Sequence, residues 1–274
     1  CIPKAKVYRI NDKDGKDFLF QKIENKHVWI DEEGFDQAVS SLDRSDRRSI
    51  ARPKFDSQVQ PLRRALAAIS TTDVLVAGIR DLSVGLNLNP KNPLGRAAWY
   101  SFGFMVRRAA AVTLDIQDSE LDVGIQPFTD FNSPFVAASA RIFISDNLEN
   151  GAGYSSWLAK PERFEDLLKF ILNPEGHFYK PLVSDTHRQE CSTSCHRCLR
   201  EFGNMAFHPL LDWRVALDMV RLALDPNAPI DLNYDYWADL VDRTAQAYFE
   251  PLSLTYDPSK TLGGLPFGSD DYSN

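Results

Sequence analysis

Alternating apolar and polar side chains mark the first 40 residues as β-rich. The stretch "KVYRINDKDGKDFLFQKI" alternates along its length and is interrupted at Asp14-Gly15, a pair typical of tight turns, which predicts a β-hairpin. The segment "KHVWIDE" predicts a third strand. Residues 41–64 are charged, contain proline and have few large apolar side chains, which indicates a linker or exposed arm. We therefore expect a small antiparallel β-rich part, residues 1–40, ahead of a boundary.

Strands and helices follow one another in the centre of the chain. The segments "TTDVLVAGIRDLSVGLNL", "LDVGIQPF" and "ARIFISD" are β-rich. Pro93 stands near the start of a long helical pattern that runs through "AAWYSFGFMVRRAAAV". Pro161 opens a second helix, whose apolar side chains share one face: Phe164, Leu167, Leu168 and Ile171.

The last third of the chain predicts a buried helix, a further helix and a tail. Apolar residues recur there at steps of three and four: Leu210, Trp213, Leu217, Val220 and Leu224. The segment "YWADLVDRTAQAYF" predicts the further helix, and residues 254–274 are expected to form a disordered tail. This order predicts an α+β fold, in which residues 65–253 form a mixed sheet packed with helices and a cysteine-rich turn leads into the buried C-terminal helix.

Composition narrows the class of protein. The chain has 274 residues, of which 43% are hydrophobic, enough for a substantial core. The net charge of −7 excludes a protein that coats nucleic acid with its whole surface, so any such site has to be a local patch. No apolar run reaches roughly 18 residues and no leader is visible, so a cytoplasmic protein with no membrane partner is expected. Because the first residue is Cys1, we expect the chain to be part of a longer protein.

Three of the four cysteines lie within eight positions, in "CSTSCHRC". The spacing C-x3-C-x2-C is typical of a zinc site, and a reducing cytoplasm argues against disulfides. A redox pair is disfavoured because such a pair sits at a helix start after an apolar strand, whereas "VSDTHRQE" comes before this one. Inert buried thiols are disfavoured by the small and polar neighbours. The sequence therefore predicts Zn²⁺ bound by Cys191, Cys195 and Cys198.

Zinc needs a fourth ligand, which the spacing alone does not identify. His208 is favoured because it directly precedes Pro209 and the buried helix, so its imidazole could face back onto the cysteines. His187, four residues before Cys191, is the main alternative. Cys1 and His196 are the remaining candidates.

Two further features could contact nucleic acid. In "ENGAGY", Gly151 and Gly153 stand between a strand and a helix, where backbone amides can bind a phosphate and Tyr154 can stack on a base. Alternatively, these glycines only permit a tight turn. Arg197 and Arg200 beside the cysteines, and the arginine-rich residues 44–64, are candidate phosphate contacts or else ordinary solvated surface. No Walker motif is present, so no ATP site is expected.

A metal-dependent nuclease is the competing enzymatic hypothesis. The segment "DIQDSELD" clusters carboxylates that could hold Mg²⁺: Asp115, Asp118, Glu120 and Asp122. The segment "HFYKPLVSD" is one residue away from the H-x-K-x4-D pattern of phospholipase D-like nucleases, with His177, Lys180 and Asp185, but only one copy is present. Acidic turns are usually just solvated, so we expect no catalytic activity from these residues.

Three stretches together carry a resemblance to a known family: "YRINDKDGKDF", "ISDNLENGAGYSSWL" and "CSTSCHRCLREFGNMAFHPLLDW". They resemble the carboxy-terminal zinc-binding domain of mitomycin repair factor A (MrfA) and related DEAD/DEAH-box helicases, over most of residues 1–224. They resemble still more closely DrmB, the helicase-associated protein of the DISARM anti-phage system. The most specific parts are the "NGAGY" loop and the cysteine cluster followed by Asn204 and "LLDW".

The resemblance implies a zinc-binding module attached to helicase machinery, in DNA repair or in defence against foreign DNA. Its implied partners are a DrmA-like helicase subunit or domain, and DNA as a single strand or duplex end. It places the metal cysteines on Cys191, Cys195 and Cys198. In the repair-factor branch a fourth cysteine follows within a few residues, where this chain has "LREFGN", which leaves the fourth ligand to another residue. The helicase motifs are absent from this sequence, so motor activity is not carried over.

Overall fold

The computed structural model describes most of the chain and divides it into two compact units. The described residues are 1–13, 15–23, 26–29, 62–79, 88–130, 137–148, 150–232, 234–249, 255–262 and 265–269. One unit comprises residues 1–5 and 72–274, and the other comprises residues 6–71. Of the predicted arm, only residues 62–64 are described. The predicted divisions at residues 40, 64 and 253 remain predictions.

The N-terminal region is β-rich, but its strands pair differently from the predicted hairpin. The strands are β1 (Ile2–Asn11), β2 (Phe18–Ile23), β3 (Lys26–Trp29), β4 (Leu62–Arg64) and β5 (Leu66–Ala77). The chain turns between β1 and β2, where the Asp17 amide donates to the Asp12 carbonyl, but β2 pairs antiparallel with β3 and β4. β1 instead lies next to β5 in another sheet. A turn signal predicts a reversal of the chain, not the strand with which each arm pairs.

The remaining elements build the metal-bearing unit. Its helices are α1 (Pro93–Leu114), α2 (Tyr154–Leu158), α3 (Pro161–Leu172), α4 (Tyr179–Val183), α5 (Asp185–Glu190), α6 (Trp213–Leu224) and α7 (Asp235–Phe249). Its further strands are β6 (Leu121–Asp130), β7 (Ala137–Asp146), β8 (Thr255–Leu262) and β9 (Leu265–Ser269), and 3₁₀ helices span Asp118–Glu120 and Phe202–Leu210. The predicted α+β class is confirmed. β7 pairs antiparallel with both β5 and β6. These pairings are those of an antiparallel sheet, where the sequence predicted a mixed one.

The predicted disordered tail, residues 254–274, includes two described strands and otherwise stays a prediction. Residues 255–269 contain the antiparallel pair β8 and β9.

Helix α1 forms the centre of the core because it is apolar on nearly every side. It begins where the Asn92 side chain accepts a hydrogen bond from the Leu94 amide, with Pro93 as its first residue, and ends at Asp115 in the left-handed conformation. It packs on β6, β7 and α6. A Cβ on Gly103 would lie 2.6 Å from Val123, so glycine allows α1 to approach the sheet closely.

Helix α6 is the buried helix that the sequence predicts. Asp212 caps it by accepting hydrogen bonds from the amides of Arg214 at 2.8 Å and Val215 at 3.3 Å. Trp213, Leu217 and Val220 are fully buried. None of the described helices is both long and apolar enough to cross a membrane.

Candidate metal centre

The centre is built from a short helix and a tight turn. Ser184 caps α5 by accepting a hydrogen bond from the His187 amide, and Cys191 ends α5 by donating its amide to the His187 carbonyl. His187 and Cys191 therefore lie one helical turn apart, on the same face. Residues 195–198 form the knuckle turn, in which the Cys198 amide donates to the Cys195 carbonyl at 3.1 Å. Helix and turn bring four potential ligand atoms together.

The distances between these atoms fit a tetrahedral zinc site. Sγ of Cys198 lies 3.8 Å from Sγ of Cys191 and 3.9 Å from Sγ of Cys195, and Nε2 of His187 lies 3.5 Å from Sγ of Cys195. All four ligand atoms are within 4.8 Å of one another. With zinc–sulfur bonds of about 2.3 Å and zinc–nitrogen bonds of about 2.0–2.1 Å, tetrahedral geometry puts ligand atoms about 3.5–3.8 Å apart. The donor set and its spacing therefore suit Zn²⁺.

The imidazole of His187 is already oriented for a metal. Its ring is buried, and Nδ1 lies 2.7 Å from the Leu182 carbonyl oxygen. Since a carbonyl only accepts, Nδ1 carries a proton, and Nε2, which faces the cysteines, is the atom that can bind a metal once it is unprotonated. A second partner of this kind fixes the tautomer of most metal-binding histidines.

His208, the favoured fourth ligand, lies outside the cluster. Its Nε2 is 3.0 Å from the Glu201 carbonyl oxygen and 2.9 Å from Oδ1 of Asn204, so it donates within the 3₁₀ segment. His196 is exposed, and Sγ of Cys1 lies 3.3 Å from Oγ of Ser156. The predicted fourth ligand, His208, is therefore corrected to the alternative, His187. The signal for it was its i, i+4 spacing to Cys191, which matters only once "DTHRQE" is known to be helical.

The pKa values of Cys191 and Cys198 are shifted in opposite directions before metal binding. The hydrogen bond from Cys191 lowers the pKa of Cys198 to about 4 despite burial, with further help from His187 and from the Cys195 amide, 3.0 Å from Sγ. The same hydrogen bond and burial raise the pKa of Cys191. Cys191 and Cys198 therefore favour sharing one proton, which has to leave for the solvent when zinc binds.

Asn204 ties the knuckle to the segment that follows it. Its buried side chain donates from Nδ2 to the Leu199 carbonyl at 2.8 Å and accepts at Oδ1 from the Glu201 amide at 2.8 Å. The backbone at Asn204 departs from helical geometry, so the 3₁₀ segment bends there. The knuckle and the start of the segment are thus held as one piece.

An acidic pair lies beside this piece. Glu201 pairs with the buried Arg107 at 2.5 Å. Burial first, then the hydrogen bond and the charge of Glu201, raise the pKa of Asp118 to about 6, against the opposing charges of Arg107 and Arg108. Two carboxylates so close favour sharing a proton.

Replacing Asp118 with asparagine should change how stability depends on pH. The pKa of Asp118 rises on folding from 3.8 to about 6, so the folded protein holds the proton more tightly and the wild-type free energy of unfolding falls as pH rises through this window. In Asp118→Asn the amide donates to Glu201 at every pH. The variant should therefore gain stability relative to wild type between about pH 4 and pH 6.

Urea unfolding across this range measures the difference between the two proteins, because loss of zinc at low pH affects both. Burial also raises the pKa of Asp212 to about 6, and this contribution is common to both proteins. Glu162→Gln, on the exposed face of α3, serves as the control. A constant difference between Asp118→Asn and wild type would contradict the shared proton.

The glycine loop binds a carboxylate of the protein itself. Oδ2 of the buried Asp146 accepts from the amides of Ala152 at 2.7 Å, Gly153 at 2.7 Å and Tyr154 at 3.1 Å, and Oδ1 accepts from Ser155 at 2.8 Å. The amides predicted to bind a phosphate are thus occupied from within. Gly151 and Gly153 both have positive φ, which favours the alternative that they permit a tight turn.

The other predicted contacts are also engaged within the protein. The Tyr154 hydroxyl donates to Oε2 of Glu120 at 3.3 Å. Arg197 is exposed and pairs with Glu190, and Nε of Arg200 donates to Oγ of Ser194 at 2.9 Å. Both guanidinium groups keep other N–H donors, so they stay candidate phosphate contacts.

The nuclease candidates are not assembled into a second metal site. Within the described ranges, the zinc cluster is the one group of three or more His, Cys, Asp or Glu side chains close enough to share an ion. Lys180 pairs with Glu175, Asp185 pairs with Arg188, and the His177 ring packs on Phe170. The predicted carboxylates Asp115, Asp118, Glu120 and Asp122 lie outside that cluster.

Comparison with known proteins agrees with the geometry. Residues 102–199 match the family model of the MrfA Zn-binding domain. No curated protein and no solved structure matches the chain. The matched range contains all four residues of the cluster, so the chain carries a zinc-binding module with His187, Cys191, Cys195 and Cys198 placed to bind the ion.

Proposed function

We propose that this chain is a zinc-stabilised module that docks onto a helicase and contributes to DNA binding, in DISARM-like anti-phage defence or in DNA repair. The observation that carries the proposal is the match to the MrfA Zn-binding domain over the residues that hold the four-ligand cluster. The resemblance of its motifs to DrmB supports the defence branch, with a DrmA-like helicase as partner.

Zinc in this site has a structural role. Four protein ligands complete a tetrahedral shell and leave no open position for water or substrate, which is the arrangement of structural sites. Three of the four ligands are buried. The metal therefore fixes a surface, and the contacts to a partner come from the side chains that the knuckle presents.

The segment around and after the knuckle offers such side chains. His196 and Arg197 are exposed, and Phe202 and Met205 in the 3₁₀ segment are 85% and 54% exposed. Arg197 and Arg200 come shortly before Phe202 in the sequence, and this combination of side chains suits single-stranded DNA, because bases stack on an exposed ring and phosphates pair with arginine. The backbone that carries Phe202 is fixed by Asn204. This patch supports a local DNA contact despite the net charge of −7.

Binding of the zinc-loaded protein to a labelled single strand, followed by fluorescence anisotropy, tests the DNA contact. Phe202→Ala should weaken binding roughly 5- to 100-fold, since base–aromatic stacking contributes about 1–3 kcal/mol per base. Arg197→Ala should weaken binding and flatten its salt dependence, because one phosphate contact is lost. Leu94→Ala removes an equally exposed apolar side chain from the start of α1 and should change nothing.

Co-elution with a DrmA-like helicase tests the docking step separately. Association should survive in Phe202→Ala and disappear after zinc chelation. Absence of DNA binding even at low salt, with co-elution retained, would leave a pure protein scaffold. Mg²⁺-dependent cleavage of the strand would instead establish the nuclease. Absence of co-elution would refute helicase docking.

A further inference from the structure

Arg214 is a fully buried guanidinium in the first turn of α6. It lies beyond the residues that match the zinc-binding family. A buried charge is costly unless it is hydrogen-bonded, so its partners indicate what it holds together.

The partners of Arg214 come from the end of α5, where two zinc ligands lie, and from α7. Nη1 donates to the carbonyl of Ser192 at 2.7 Å and to that of Cys191 at 3.3 Å, and Nη2 lies 3.5 Å from the carbonyl of Arg188. Nε donates to the carbonyl of Tyr236 in α7 at 2.5 Å. One side chain therefore binds the backbone of the segment that carries His187 and Cys191 and the first turn of the last helix.

The charge of Arg214 also complements a loaded site. Zn²⁺ with three thiolates and one neutral imidazole carries a net charge of −1. The guanidinium is bonded to the carbonyl of Cys191, itself a ligand, and is fully buried, so solvent screens its attraction to that charge weakly. It therefore favours the metal-bound state over the protonated, empty one.

Helix α7 has further anchors in the same region. Arg188, next to His187, donates from Nη1 to the Asp235 carbonyl at 2.5 Å and pairs with Asp239 at 3.4 Å. On the far side, the Tyr236 hydroxyl and Trp237 Nε1 donate to Asp218 at 2.5 and 2.8 Å. Docking of α7 thus depends on the segment that carries His187 and Cys191 and, independently, on Asp218.

We propose that Arg214 is a positioning residue that couples zinc binding to the docking of α7. Zinc holds α5 and Cys191 in the arrangement whose carbonyls Arg214 binds, and Arg214 in turn binds the first turn of α7. Because coupling between two binding equilibria is reciprocal, a docked α7 raises zinc affinity by the factor by which zinc favours docking. The proposal concerns the metal site alone and holds whether or not the helicase role is correct.

Zinc affinity and amide exchange of the full chain test the coupling together. In Arg214→Gln, competition with a chromogenic chelator should show zinc affinity lowered about 10- to 100-fold, as for loss of an outer partner of a metal ligand. Amides of α7 should exchange faster in the same variant, while those of α3 stay protected. Arg214→Lys keeps the charge without the planar fork, so affinity should recover in part and α7 exchange should stay fast.

Asp218→Asn tests the coupling from the other end and guards against a variant that fails to fold. It loosens α7 at Tyr236 and Trp237 without touching a zinc ligand, so it should also lower zinc affinity and alter the visible spectrum of the Co²⁺-substituted site. Arg163→Lys, whose guanidinium stacks on Trp157, is the matched control and should leave both unchanged.

Three results would overturn the proposal. One is wild-type zinc affinity in Asp218→Asn despite faster exchange in α7. Another is wild-type affinity in a folded Arg214→Gln. The third comes from chelation of the wild-type protein. The proposal fails if the amides of α7 stay as protected as before. It also fails if the amides of α3 and α7 lose protection at the same chelator concentration, since that would indicate global unfolding.

Discussion

Replacing His187 with alanine is expected to lower zinc affinity by more than the roughly 100-fold that loss of an outer partner costs, because a direct ligand is removed. The same change should lower the melting temperature sharply, since the binding free energy of a structural zinc stabilises the fold. His208→Ala should keep one zinc per chain with unchanged affinity, because Nε2 of His208 donates within the 3₁₀ segment.

Competition with a chelator and a thermal melt on each variant measure both effects. Ser192→Ala replaces an exposed side chain between the ligands in sequence and is the control for substitution near the site. Loss of zinc from His208→Ala with retention in His187→Ala would reverse the ligand assignment. Unchanged melting after complete chelation would show that zinc does not support the fold.

Replacing Asp146 with alanine should cost at least about 3 kcal/mol of unfolding free energy, the second large effect. Four amide donors at the start of α2 would lose a charged acceptor, and each such bond contributes about 1.5–3 kcal/mol. The free energy of unfolding of Asp146→Asn should lie between those of wild type and Asp146→Ala, since the amide oxygen can still accept from some of these four amides. Urea unfolding of the zinc-loaded proteins gives the comparison.

Asp166→Ala, an exposed carboxylate in α3, is the matched control and should change stability little. The glycine loop also yields a second readout. If Asp146→Ala kept wild-type stability and bound DNA more tightly, the loop would be a phosphate site that Asp146 merely screens.

The parts of the site that sequence predicts are those specified by local spacing. The C-x3-C-x2-C pattern identified three ligands because a tight turn brings such cysteines together wherever it occurs. The fourth ligand depends on α5, only six residues long, in which no hydrophobic period can be recognised, and on the Leu182 carbonyl that orients the His187 ring. His208 and His187 are equivalent until those contacts are known.

The same distinction separates the correct and incorrect parts of the fold. Helix α6 was predictable because its apolar stripe is long and regular, and α1 because it starts at an Asn-Pro cap. The partner of β1 could not be predicted, since a turn signal is local whereas β5 lies far from β1 in the sequence. At the glycine loop, the sequence shows amide donors, but only the fold shows that Asp146 already meets them.

The uneven burial of the ligands sets how zinc leaves the protein. His187, Cys191 and Cys198 are buried, whereas Cys195 is partly exposed. A small thiol or chelator can therefore approach the ion on the side of Cys195 while the other three bonds remain. Metal exchange should proceed by stepwise ligand substitution. Its rate should rise with competitor concentration and should not require unfolding of the core around α1.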